Sequence, residues 1–275
     1  ELTDEFIEGI RRAVKRNRED GFILGEVWKN PMRMNRTYIS SGKSMDSVMN
    51  YLLMDALIRY FKYADVNKIK DVLNQIIYEY PKETIESLMN FTSTHDISRA
   101  INIFASDRFK VDGEWAWNLK DENYENSKYF RLRGEDYYRG MKVYKSYVFT
   151  LAFLPGNLSI FYGDEIGMQG EGNLSNRKPF TWDRINNNLL NYFKYIGKIR
   201  EKEKFLENAN LKIIEINDKI MMFERDDKLL TVINRSDEDI NIYLPEEYKD
   251  KPKIYSIIKT NGNILNNHSG FSIKK

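Results

Sequence analysis

The sequence predicts an α/β fold over residues 1–205 and a small all-β domain over residues 206–275. Three observations predict it. Short apolar runs of strand length alternate with stretches of helical periodicity up to about residue 203. Beyond residue 210 the texture changes to β-rich runs separated by turn signals. The strand candidates of the first part each end in polar residues, as parallel βα architectures do where strand carboxyl ends carry a site.

Residues 3–19 read as an amphipathic helix, with Leu2, Phe6, Ile7, Ile10 and Val14 at helical spacing. Thr3 suits the cap, Asp4 and Glu5 the first turn, and Leu2 can staple onto Ile7. Lys15, Arg16 and Arg18 suit the far end, and Gly21 the stop. The stretch "GFILGEVWKN" follows, with a buried strand expected at 22–26. Further strands are expected at 47–51, 88–92 and 158–162. Helices are expected at 52–63, at 66–79 (closed by Pro81), at 136–153 (ended by Pro155-Gly156) and at 186–203. The polar, aromatic-studded stretch 106–135 reads as an irregular excursion. In the last part "LKIIEI", "KIMMFER", "KLLTVIN", "INIYLP" and "KIYSIIK" read as strands of an antiparallel domain. Turns are signalled at Asn217-Asp218, Asp226-Asp227 and Asn261-Gly262.

Composition bounds the function. The chain has 275 residues, 41% hydrophobic and 31% charged, enough for a sizeable core. Forty-three basic and 41 acidic residues leave a net charge of +2. No basic block points to nucleic acid, and no apolar run approaches the roughly 20 residues of a membrane span. With no cysteine and only His95 and His268, disulfides, thiol chemistry and Cys- or His-rich metal sites are excluded. The aromatic share of 13%, with 18 Tyr, serves core packing first and stacking on sugars or bases second. Glu1 stands inside what reads as a running helix, so a piece of a longer protein is expected. A cytoplasmic location is expected over an extracellular one.

The polar strand ends carry the chemistry. Glu26, Asn50-Tyr51, Thr94-His95-Asp96 and Gly163-Asp164-Glu165 follow the four strand candidates. Glu26 and Asp96 can meet from neighbouring or next-neighbouring strands. Paired carboxylates suit glycosidic cleavage: one donates a proton to the leaving oxygen and an anion holds the oxocarbenium-like transition state. Desolvation beside Trp28 would raise the proton affinity of the acid. His95 adds a donor for sugar hydroxyls. Each group also has a plain structural reading: Glu26 as a surface acid, His95-Asp96 as a hydrogen-bonded turn, Asp164-Glu165 as a cap.

The segments "GEVW" (25–28), "STHD" (93–96) and "LPGNLSIFYGDEIGMQGEGNLSNRKPFTWD" (154–183) together resemble the α-amylase superfamily, glycoside hydrolase family 13. The long third segment and "DSVMNY" (46–51) look like its neopullulanase, cyclomaltodextrinase and maltogenic amylase branch. The resemblance covers about residues 1–205. It implies that this is the second half of a (β/α)8 TIM barrel, followed by a small antiparallel β-sandwich domain. It implies Glu26 as general acid/base, Asp96 as the transition-state-stabilising carboxylate and His95 as a binder of sugar hydroxyls. Trp28 would line the acceptor side. Asn173 and Arg177 stand where the branch often has an Asp and an Arg on the donor side, and Arg99 at an often basic position, read otherwise as a surface charge. Asn173 departs from that Asp and cannot pair ionically with Arg177.

The resemblance further implies a nucleophilic aspartate in a Gly-x-Arg-x-Asp segment, expected a few residues upstream of Glu1. The fragment alone is then expected to be inactive. No cofactor or metal is expected in this chain; the resemblance leaves calcium possible in the missing N-terminal part, whose protruding domain often contributes calcium contacts in the family. The expected partner is an α-glucan oligosaccharide, with no nucleic acid and no membrane. Open sheet edges of a half-barrel would favour a homodimer or domain-swapped oligomer. Rival readings are an oligo-1,6-glucosidase or glucosyl transferase of the same superfamily, and an amylase-like glucan binder without catalysis.

Overall fold

The computed structural model describes residues 2–110, 113–120, 129–258 and 264–275, apart from the Asn173 side chain. The turn signal at Asn261-Gly262, and parts of the 106–135 excursion, lie outside the described residues.

Helix α1 (Asp4–Asn17) starts as its sequence dictates. The Thr3 hydroxyl accepts from the Phe6 N–H at 3.3 Å, and Asp4 and Glu5 fill the first turn. Of the apolar stripe only Ile7 is buried; Leu2, Phe6 and Ile10 are exposed. The staple expected between Leu2 and Ile7 therefore shields little of Leu2 from water.

Four short strands follow in sequential order, all parallel. They are β1 (Leu24–Gly25), β2 (Ser47–Val48), β3 (Met89–Phe91) and β4 (Asn157–Ser159). β1 pairs with β2, a bridge joins Met49 to Met89, and β3 pairs with β4. β1 departs from the buried strand expected at 22–26, because Phe22 and Leu24 are exposed. Among the described residues it pairs with β2 alone. Gly25 makes room for Met45: a Cβ there would lie 1.9 Å from the Met45 sulfur, so that side chain would have to move. A buried amide ladder crosses the sheet, Asn50 Nδ2 donating to Asn90 Oδ1 at 2.9 Å and Asn90 Nδ2 to the Pro155 carbonyl at 2.7 Å.

Helix α2 (Tyr51–Tyr63) packs on β3, and α3 (Val66–Glu79) packs on α2. Asn50 caps the first and Asp65 the second through their side-chain oxygens. Two short helices escaped the periodicity reading, α4 (Lys82–Ser87) and α5 (Ala100–Ala105). Each has only six residues, too few to show a period. Helix α6 (Gly134–Phe153) is the longest; α7 (Gly172–Ser175) is one turn, and α8 (Asn187–Lys202) closes the α/β part.

The expected boundary at 205/206 falls inside the helical turn Lys204–Glu207. Beyond it lie β5 (Leu211–Ile216), β6 (Ile220–Arg225), β7 (Leu229–Asn234), β8 (Ile240–Asn241), β9 (Lys253–Ser256), β10 (Ile264–Leu265) and β11 (Ser269–Lys274). They form an antiparallel sheet in the order β5-β6-β7-β11-β9 and a second pair, β10-β8. The β6–β7 hairpin turns through Asp226 and Asp227, both with positive φ. The larger sheet is covered on both faces by strand alternation. Met221, Phe223, Leu229 and Ile233 join the core of the α/β part. Met222, Leu230, Val232, Phe271 and Ile273 meet Ile242, Tyr248 and Leu265 on the other face. Strand β11 was missed because its polar sequence hides a central strand: Ser269 and Ser272 are fully buried, and the Ser272 hydroxyl meets that of Thr231 at 3.0 Å.

Two buried residues of the β part stand where the parts meet, Arg225 and His268; the His268 carbonyl accepts from Ser146 Oγ. Fully buried Arg225 donates to the carbonyls of Phe153, Leu206 and Ala209 at 2.6–2.8 Å. Its pKa is pushed down to about 9, chiefly by burial. His268 (φ +42°) is buried; its Nε2 faces Asp237 Oδ1 at 2.8 Å, with Arg235 and Arg139 nearby. Burial holds its pKa below the ordinary 6.5, against the pull of Asp237. The folded state thus favours neutral His268. Stability from this group is present above pH 6.5 and is lost as pH falls, because the unfolded chain takes up the proton first. Melting temperature followed from neutral to acid pH should fall more steeply for the parent chain than for His268→Gln. Parallel curves would refute this.

Candidate active site

The carboxyl ends of β1 to β4 open on one rim, where the polar residues singled out in the sequence gather. Glu26 leaves β1 exposed rather than desolvated, which corrects the expectation of a buried acid. Its Oε1 accepts from Trp28 Nε1 at 3.0 Å and from the Tyr51 hydroxyl at 3.1 Å. Among the described residues no hydrogen bond is formed at Oε2. The Trp28 and Tyr51 rings stack at 4.5 Å, 15° from parallel. Trp115 and Trp117, stacked on each other at 4.8 Å, meet Trp28 edge-on at 6.0 and 6.2 Å. Glu26 is therefore held against an aromatic wall of four rings.

Three of those rings, Tyr51, Trp115 and Trp117, are not marked as site residues by the sequence pattern. Tyr51 reads only as a polar strand end, and Trp115 and Trp117 stand inside the irregular excursion. What signal there is lies in the spacing of "EWAWN" (114–118), two indoles two residues apart, which the structure brings together in a turn. That loop is pinned from α2: buried Asp55 accepts from the Ala116 N–H at 2.8 Å, and its partner Arg59 donates to the Gly113 carbonyl at 2.8 Å.

Asp96 sits in the turn after β3, half-buried. His95 Nε2 lies 3.2 Å from its Oδ2, and Arg177 Nη2 2.9 Å from its Oδ1. Arg177 Nε also donates to the His95 carbonyl at 2.8 Å. Glu26 and Asp96 belong to next-neighbouring strands, with Tyr51 between them. The Tyr51 hydroxyl feels both: burial first, then the charge of Glu26 and that of Asp96, push its pKa up.

Arg99 is placed neither on the surface nor toward a sugar. It is fully buried, donating to Asp164 Oδ1 at 2.8 Å, to the Tyr162 carbonyl at 2.6 Å and to the Asn176 carbonyl at 2.9 Å. Asp164 also accepts from Thr92 Oγ1 at 2.6 Å and Ser93 Oγ at 2.5 Å, so it is more than a cap. Asn176 returns the link by donating to the carbonyls of Thr94 and Ile97. Arg99 thus positions the His95-Asp96 turn. Asn173 lies in α7, and its side chain is outside the described residues. Among the described residues no group of three acidic or histidine side chains could hold a metal ion.

A family model for the α-amylase catalytic domain matches residues 2–115. Over those residues the chain is similar to the α-amylase family. Among its relatives, a cyclomaltodextrinase of Geobacillus thermopakistaniensis is 27% identical over 260 residues, covering 91% of this chain. A neopullulanase 2 of Thermoactinomyces vulgaris is 26% identical over 216 residues, 77% of this chain. The chain spans 38% and 30% of the length of those relatives. The type III pullulan hydrolase of Thermococcus kodakarensis superposes over 98% of the chain and 42% of its own length, with a TM-score of 0.75 at 19% identity. An α-amylase of Geobacillus thermoleovorans in complex with acarbose superposes over 99% and 57%, with a TM-score of 0.73 at 19% identity. These likenesses show that the fold is that of the α-amylase family's barrel enzymes.

Replacing Arg99 by Met should leave Asp164 as a buried charge without its cation and cost about 3–5 kcal/mol of stability. The double variant Arg99→Met with Asp164→Asn should recover part of that loss. Denaturant titration checks both; an unaltered midpoint in Arg99→Met would contradict the assignment.

Proposed function

We propose that residues 1–205 are the second half of a (β/α)8 barrel, with residues 206–275 the β-sandwich that follows it. On this reading the parent protein cleaves α-glucosidic bonds in maltooligosaccharides, cyclodextrins or related α-glucans with retention. One observation carries it. Glu26 accepts from the buried Tyr51 hydroxyl at the mouth of an aromatic wall, and Asp96, at the end of the next-neighbouring strand, is close enough for its charge to act on the same hydroxyl. The names of the relatives, cyclomaltodextrinase and neopullulanase, support the substrate class.

The geometry divides the work. Trp28 and Tyr51 hold Glu26 Oε1, leaving Oε2 to face the glycosidic oxygen. The Glu26 carboxyl gives its proton to that oxygen while an aspartate of the preceding strand attacks the anomeric carbon, and the C–O bond breaks. The Glu26 carboxylate then takes a proton from water, whose oxygen attacks the same carbon and releases the aspartate. Asp96 stabilises the cationic centre, and His95 and Arg177 bind sugar hydroxyls beside it. Trp28, Trp115 and Trp117 offer apolar faces to acceptor-side glucose rings.

In the full-length protein Glu26→Gln should lower kcat about a hundred- to ten-thousand-fold with folding intact; near-normal turnover would sink the assignment. Residues 1–275 alone, without the nucleophile, should release no maltose. Exposed Phe22 and Leu24 beside β1, and Ile160 beyond β4, support self-association of this chain. Light scattering should find a dimer or larger oligomer, and a dilute monomer would count against it.

A further inference from the structure

A cleft of about 470 Å³ lies between the start of α6 and the 166–184 loops, lined in part by Lys178, the residue after Arg177. Arg131, Arg133, Lys178 and Arg184 line it, and none of the lining residues is acidic. Glu135 and Asp136 are exposed on the first turn of α6, outside the lining; among the described residues Asp183 pairs with its neighbour Arg184, at 3.5 Å. The walls are built rather than incidental. The Gln169 side chain accepts from the Leu132 N–H at 2.7 Å and donates to the Leu132 carbonyl at 3.2 Å, fixing the segment that carries Arg131 and Arg133. Gly167, with φ +77°, leaves room for Tyr137: a Cβ there would lie 2.4 Å from the Tyr137 hydroxyl.

One group in this cleft is out of balance. The Lys178 Nζ is buried and has no hydrogen-bond partner. Burial lowers its pKa first, and the charges of Arg131 and Arg99 lower it further. Lys178 as a whole is half-buried, and an ammonium so shielded among other cations is stabilised when an anion joins it. Guanidinium groups beside it match the oxygens of a tetrahedral oxyanion, which they grip in pairs. Tyr138, exposed beside Tyr137, offers a ring face for a sugar attached to such an anion.

We propose that this cleft binds a phosphate group, either free or carried on a sugar, with Lys178, Arg131 and Arg133 as its ligands. The site stands apart from the Glu26–Asp96 reading and holds or falls without it.

Titration calorimetry on the chain, with inorganic phosphate, glucose 6-phosphate and maltose at matched ionic strength, tests it. Phosphate should bind saturably where chloride and maltose do not. Lys178→Met should weaken that binding at least about tenfold, as loss of a charged hydrogen bond does. The same variant should melt no lower than the parent in phosphate-free buffer, because it removes an uncompensated charge. Arg131→Gln, at an exposed position, should weaken binding with folding undisturbed. Tighter binding of glucose 6-phosphate than of phosphate supports the sugar-borne source, and equal binding supports the free ion. Phosphate heats no larger than those of chloride, or equal affinity in the parent and both variants, would overturn the proposal.

Discussion

The buried pair of Arg99 and Asp164 is the interaction on which the rest of the rim depends. Two ions without access to water are stable only when their remaining hydrogen-bonding positions are filled. Here they are filled from every segment that matters. Thr92 and Ser93, just past β3, donate to the carboxylate, and the Tyr162 and Asn176 carbonyls accept from the guanidinium. The pair therefore locks the end of β3 to the loops after β4. Asn176 and Arg177, fixed by that lock, in turn hold Thr94, Ile97 and the His95-Asp96 turn. Asp96 is placed by a neutralised ion pair behind it, not by packing of its own side chain.

Glu26 is placed by a different device. Its strand is short and lies at an edge, so the sheet does little to aim it. Two donors on stacked rings do the aiming, Trp28 from its own strand end and Tyr51 from the start of α2. The rings are supported by Trp115 and Trp117, whose loop is anchored through Asp55 and Arg59. The orientation of the proton donor is thus a property of α2 and of a loop about 90 residues away in the chain.

Much of this was legible in the sequence, for physical reasons. The long helices α1, α2, α3, α6 and α8 announce themselves by period, caps and terminal charges. The turn at Asp226-Asp227 announces itself by residues that tolerate positive φ. Glu26 and Asp96 stand out because they follow apolar runs. What stayed hidden depends on tertiary partners. Arg99 reads as a surface charge until Asp164, 65 residues on, is found beside it. β11 reads as polar because its buried serines bond across the sheet. The exposed side of β1 and the cations around Lys178 are visible only once neighbours have been placed.

The most direct measurement is azide rescue in the full-length protein. With Glu26→Ala and an activated substrate such as α-maltosyl fluoride, departure of the leaving group needs no acid, but release from the nucleophile lacks its base. Azide is already an anion and attacks without one. The rate should rise with azide, and the product should be maltosyl azide of retained, α configuration. No gain with azide, or a product of β configuration, would contradict Glu26 as the acid/base of a retaining site.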